Sequence, residues 1–98
     1  MLRLELRRRA RQDLDDIYTH TEKAWGAKQG ETYLRSLGAT FELLREFPKI
    51  ARLRTEFTPP VRIHSHQAHV IIYRETSEVL DVIRIVHSRA NWAEYLAE

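Results

Sequence analysis

The sequence predicts an α+β fold in the order β-α-α-β-β-β-α: a small antiparallel-rich sheet packed against an N-terminal αα-hairpin, with a short C-terminal helix. Three observations predict it. Apolar residues recur at helical spacing from Arg9 to Phe47 with one interruption, at Gly26. Three β-rich runs fall between Val61 and His87, separated only by Gln67-Ala68 and by Glu75 to Glu78. Leu2, Leu4 and Leu6 alternate with Arg3 and Glu5, which reads as a strand ahead of the helices.

The elements follow in order. Ala10, Leu14, Ile17, Tyr18, Thr21, Ala24 and Trp25 recur three and four apart, one face of a first helix, and this stripe assigns Trp25 to the core. Gly26 sits where a helix end wants left-handed backbone. Tyr33, Leu34, Leu37, Phe41, Leu44 and Phe47 form the stripe of a second helix, and Pro48 ends it because proline cannot extend the hydrogen-bond ladder. A break of about two residues between them makes the helices an antiparallel pair. Residues 48–60 have no period and read as a loop with room for a short extended piece. Val70 to Tyr73 and Leu80 to Val86 are apolar on both parities, which suggests central strands covered on both faces. Trp92, Ala93, Tyr95 and Leu96 share a side if the end is helical, with Ser88 or Asn91 as N-cap.

Ninety-eight residues make a single domain, 1–98. Apolar content of 43% and charged content of 31% are ordinary for a soluble globular chain. The absence of cysteine excludes disulfides and thiolate zinc sites. No apolar run approaches the roughly 20 residues that span a bilayer, and the N-terminus lacks the apolar block of a signal peptide, so the expected compartment is the cytoplasm, with no membrane partner. Net charge is only +2, but it is uneven. Arg3, Arg7, Arg8, Arg9 and Arg11 face only Glu5 in residues 1–12, and Lys49, Arg52, Arg54 and Arg62 face only Glu56 in residues 49–62. Thirteen arginines against three lysines suit bidentate pairing with carboxylates or phosphates, so an acidic protein or a nucleic acid fits as a partner.

The full-length order of these residues resembles the ParE/RelE superfamily of type II toxin–antitoxin toxins. The matching positions are Ala10, Asp13, Leu14, Ile17 and Tyr18 on the first helix, Trp25-Gly26 at its end, and Tyr33, Leu37, Phe41 and Leu44 on the second. Pro48, Arg62, His69-Val70-Ile71-Ile72-Tyr73-Arg74 and Arg84-Ile85-x-His87-x-Arg89 complete the set. The Trp-Gly helix end and the arginine–histidine–arginine strand end look more like the ParE branch. That resemblance implies a protein that binds and inhibits DNA gyrase, is neutralised by a cognate antitoxin, meets operator DNA only through that antitoxin, and needs no cofactor. The RelE branch implies instead a ribosome-dependent mRNA endonuclease. A third possibility is an inactive relative that serves only as an antitoxin-binding co-repressor.

The residues weigh these readings. As an endonuclease the chain would use Arg62, Arg84 and His87, cations and a near-neutral acid–base group on the scissile phosphate. As a gyrase inhibitor it would use Arg62, Arg84, His87, Arg89 and Trp92 to bind its target, with Trp92 equally readable as a lid on the core. Leu34, Leu37, Phe41, Arg52 and Arg54 are the expected antitoxin contacts. Arg62, Arg84 and His87 also have a purely structural reading, as partners of Glu56, Asp81 or the C-terminal segment. His64 and His66 share one strand face and, with His69, lack an acidic ligand to complete a metal site, so no metal is expected and the pair reads as exposed. Asp13, Asp15 and Asp16 read as helix-dipole partners for the preceding arginines.

Overall fold

The computed structural model describes residues 1–96. A first strand, β1 (Arg3–Leu6), leads into α1 (Arg8–Trp25) and α2 (Ala27–Glu46); then come β2 (Leu53–Arg54), β3 (Val61–His66), β4 (His69–Glu75), β5 (Val79–His87) and α3 (Trp92–Leu96). The strands form one sheet in the order β1-β5-β4-β3-β2. The last four strands pair antiparallel, whereas β1 lies parallel to β5, with Arg3 beside Val79 and Leu6 beside Val82. The helical hairpin is therefore the connection that carries the chain away from the β1 edge. The short extended piece for which residues 48–60 left room is β2, a two-residue strand that caps the opposite edge.

Both sheet faces are covered, as the apolar runs of β4 and β5 require. One face buries Ile71, Tyr73, Leu80, Val82 and Ile85 against Ala10, Ile17, Leu37, Phe41 and Leu44 of the hairpin. The other buries Val61, Ile63, Val70, Ile72, Ile83 and Val86 under Phe57, Ala90, Trp92, Tyr95 and Leu96. Tyr73 is fully buried in the first layer, and its hydroxyl donates to the Pro48 carbonyl at 2.6 Å, tying the end of α2 to the sheet. Burial pushes the Tyr73 phenol up to about 12.

A register shift between Ile72 and Tyr73 makes a bulge in the β4–β5 ladder: Ile72 pairs with Arg84, but Tyr73 pairs with Val82. Ile83 is the extra residue. It and Arg84 consequently fall on the α3 side, while Val82 and Ile85 stay on the hairpin side.

The hairpin turn is tighter than the sequence suggests. Only Gly26 separates the helices, at φ 96° and ψ 163°, a backbone region that side chains disfavour. Close approach continues at Gly30, where an added Cβ would meet the Tyr18 ring at 3.1 Å. Trp25, assigned to the core from its stripe, is 77% exposed. The last buried position of α1 is Ile17 and the first buried in α2 is Gly30, so the hairpin turn projects past the sheet and Trp25 has no layer beneath it. Periodicity reports which side of a helix is apolar, not how far the opposing sheet reaches. Gly26→Ala is expected to cost about 1–3 kcal/mol in urea unfolding, from backbone strain. Trp25→Ala should stay within about 0.5 kcal/mol of the parent.

Candidate functional site

The sequence-predicted site residues do not converge on one centre. Arg62 and Arg84 lie on opposite faces of the sheet. Arg62 extends on the hairpin face, where Nε donates to Glu75 at 2.7 Å and Nη1 to the Ala51 carbonyl at 2.8 Å. Arg84 lies on the α3 face, its guanidinium carbon 4.7 Å from the Tyr95 ring centroid. Its Nε and Nη2 donate to the two oxygens of Asp13 on α1, both at 2.8 Å. The structural alternatives named Glu56 and Asp81 as partners, but the acids are Glu75 and Asp13, and Asp81 is taken by a bidentate bond from Arg7. Asp13 is likewise no helix-dipole acid: it sits past the first turn of α1, which contains no acidic residue.

Asp13 has a further task. β1 pairs with β5 only as far as Val82. Beyond that point the ladder is continued by side-chain chemistry, because Asp13 Oδ2 accepts the backbone N–H of Ile85 at 2.9 Å. Both partners of the Asp13–Arg84 pair keep only 11% side-chain exposure. Removing one member of a pair buried this deeply leaves a bare charge and costs about 3–5 kcal/mol.

The strand end beyond Arg84 is different. His87 and Arg89 are exposed. The His87 ring packs edge-on to His69 at 5.8 Å between centroids, and its Nδ1 accepts the Arg89 N–H at 3.1 Å. His69 Nδ1 lies 2.6 Å from the Tyr33 hydroxyl of α2. His66 is bracketed by Ser36 Oγ at 3.0 Å and Thr40 Oγ1 at 2.9 Å, so of the pair read as exposed His66 is drawn against α2, and His64 is half-buried. Burial lowers the His66 pKa, with His64 adding to it. Burial also lowers that of His69, helped by His87, His66 and His20 and opposed by Asp13. Among the described residues no group of three or more histidines or acids is arranged to hold a metal.

The expected antitoxin contacts divide too. Leu37 and Phe41 are buried in the hairpin–sheet core and Leu34 packs against it, so the first two offer nothing to a partner in this conformation. Arg52 is exposed, whereas Arg54 is partly buried with its guanidinium 5.6 Å from the Trp92 ring centroid. The outward residues of the same region were not among the expected contacts, and Phe47, placed on the apolar stripe of α2, is one of them. Leu43, Phe47, Ile50 and Leu53 are all exposed, and the first three line an apolar depression with Pro48 and Lys49. The signal was available in Phe47 and Ile50, large apolar residues on either side of a helix-ending proline. Trp92 packs into the α3-face core, and its indole N–H has no acceptor among the described residues.

Residues 4–92 match the family described as the ParE toxin of the type II toxin–antitoxin system, parDE. The chain belongs to the ParE toxin family. It is 36% identical over 91 residues to Toxin ParE1 of Caulobacter vibrioides, covering 93% of this chain and 94% of that one. Toxin ParE1 of Mycobacterium tuberculosis is 36% identical over 81 residues, covering 82% and 83%. The fold matches a chain of the chromosomal ParDE TA system from P. aeruginosa with a TM-score of 0.76 at 21% identity, over 89% of this chain and 96% of that one. This ParE chain is thus the toxin component of a type II toxin–antitoxin module.

Two outcomes are expected. Asp13→Ala should lower unfolding free energy by about 3–5 kcal/mol in urea titration, a loss larger than that of any exposed acid. Acid should also weaken the fold. His66 and His69 have folded pKa values below the ordinary 6.5, so the unfolded chain binds more protons as pH falls through that value. Stability is complete above 6.5 and declines below it, and a His66→Asn, His69→Gln double variant should show a flatter decline in the same titration.

Proposed function

We propose that this ParE chain inhibits DNA gyrase in the cytoplasm and is neutralised by an antitoxin encoded beside it, through which alone it meets operator DNA. Membership of the ParE family over residues 4–92 carries this reading. The side-chain geometry supports it over mRNA cleavage. The three residues an endonuclease would use are held apart: Arg62 by Glu75 on one face, Arg84 by Asp13 on the other, and His87 at the strand end. A guanidinium already satisfied by a carboxylate is poorly placed to receive a scissile phosphate. Among the described residues no helix is long and apolar enough to cross a membrane.

The target surface in this proposal is the exposed end of β5, His87 to Arg89. Arg84 steadies that strand through its pair with Asp13, Arg62 ties β3 to β4 through Glu75, and Trp92 packs in the α3-face core. For the antitoxin, the accessible groups are Leu43, Phe47, Ile50 and Leu53 with Arg52, in place of the buried Leu37 and Phe41.

Purified chain should inhibit gyrase supercoiling of plasmid DNA and leave translation in a cell-free extract running. Arg89→Glu should raise the half-inhibitory concentration by about tenfold or more, since reversing an exposed charge at an interface penalises association, while urea unfolding is unchanged. Supercoiling that proceeds normally while translation stops would replace gyrase with the ribosome as target. Full inhibition by Arg89→Glu would move the working surface away from the end of β5.

A further inference from the structure

On the α3 face, the sheet register brings two arginines to either side of Val61. Arg54 of β2 pairs with Val61 of β3, and the next pair, Arg62 with Tyr73, sets Arg74 of β4 on the other side of Val61. Val61 belongs to the core layer that also contains Trp92. Arg54 Nε, Arg74 Nε and Trp92 Nε1 are all buried, and none has an acceptor among the described residues. Three orphaned donors in one layer is unusual, because buried N–H groups are nearly always paired.

A cleft of about 210 Å³ opens at Arg74, lined also by Glu56, Phe57, Thr58, Pro59, Val61, Ala93 and Leu96, with Arg54 and Trp92 stacked on each other behind the Val61 wall. Charge there is lopsided. Arg52 and Arg54 face Glu56, whose carboxylate stays 3.8 Å from Arg54 and 4.0 Å from Arg52, beyond hydrogen-bonding distance, and the acid opposite Arg74 in the ladder, Asp81, is taken by Arg7. These acids therefore satisfy neither Nε.

We propose that the cleft beneath α3 is an oxyanion-binding site, in which a phosphate or carboxylate group is held by Arg54, Arg74 and the Trp92 indole N–H. Guanidinium groups pair with these anions through charge-assisted, often bidentate hydrogen bonds. The cleft is smaller than the roughly 300 Å³ at which pockets for drug-sized ligands begin. It suits a small anion or the anionic tip of a larger molecule, and the flanking Phe57, Val61 and Leu96 accommodate the carbon next to a carboxylate. The five-residue α3, carrying Ala93 and Leu96, forms one wall.

The test is titration of the purified chain with inorganic phosphate and, separately, with acetate, at constant ionic strength with chloride as the balance. A Trp25→Phe background leaves Trp92 as the only indole, and the exposure of Trp25 makes that change mild. A saturable change in Trp92 emission with a rise in melting temperature is the expected result. Saturation by phosphate alone assigns a phosphate-bearing ligand, by acetate alone a carboxylate, and by both an unselective oxyanion site. Arg74→Gln should weaken binding by about tenfold, because a charge-assisted bond is replaced by a neutral one. Arg54→Gln provides the second variant should Arg74→Gln fold poorly. No saturable response to either anion, or an unchanged response in a folded variant, overturns the proposal. The readout needs neither gyrase nor antitoxin, so it stands or falls apart from the toxin's target.

Discussion

The Asp13–Arg84 pair is the interaction on which the rest of this fold depends. β1 is too short to pair with all of β5, and a strand edge left open past Val82 would expose unpaired backbone beside the core. Asp13 closes that edge from a helix, by accepting Ile85 N–H and Arg84 together. One carboxylate thereby fixes α1 against β5, and through Arg84 it reaches Tyr95 of α3. The bulge at Ile83 is the necessary companion. The extra residue sets Arg84 opposite Ile72 on the α3 face while Val82 keeps to the hairpin face.

The two faces of the sheet are consequently built to different standards. On the hairpin side, two long helices contribute Ala10, Ile17, Leu37, Phe41 and Leu44, and the polar groups that enter the layer, Tyr73 and the Asp13 carboxylate, are hydrogen-bonded. On the α3 side the lid is a loop residue, Phe57, and five helical residues. Each unpaired buried donor costs about 1–3 kcal/mol. The orphaned N–H groups of Arg54, Arg74 and Trp92 collect on this thinner side, and none lies under the hairpin. Stability resides in the hairpin layer, and adaptability in the other.

Local signals made the architecture legible. The α1 and α2 stripes, Gly26, Pro48 and the two-sided apolar runs of β4 and β5 each depend on residues a few positions apart, and each fixed an element. What the sequence did not disclose depends on distance. Asp13 and Arg84 stand 71 positions apart, and nothing near either of them announces the other. Trp25 is apolar on the correct side of its helix but lies beyond the edge of the sheet. His66 reads as exposed in a polar run, and only the arrival of Ser36 and Thr40 from α2 covers it. β2 is two residues long, below the length at which alternation can be seen.

The same distinction governs the candidate site. Arg62, Arg84, His87 and Arg89 look alike in sequence, as basic residues on or beside strands. Whether such a residue is available to a partner is decided by whether the fold supplies its counter-charge. Glu75 occupies Arg62 and Asp13 occupies Arg84, so both are committed to holding the chain together. Arg89 follows the last strand, in an exposed turn whose backbone is anchored by bonds from Ser88 N–H to Ala68 and from Arg89 N–H to His87. A fixed backbone presenting an exposed charge is what electrostatic recognition requires, because the side chain meets its partner without the turn having to be ordered first. Arg84 and the strand-end arginine therefore form one device, in which the buried pair with Asp13 holds β5 so that its exposed end is held in place.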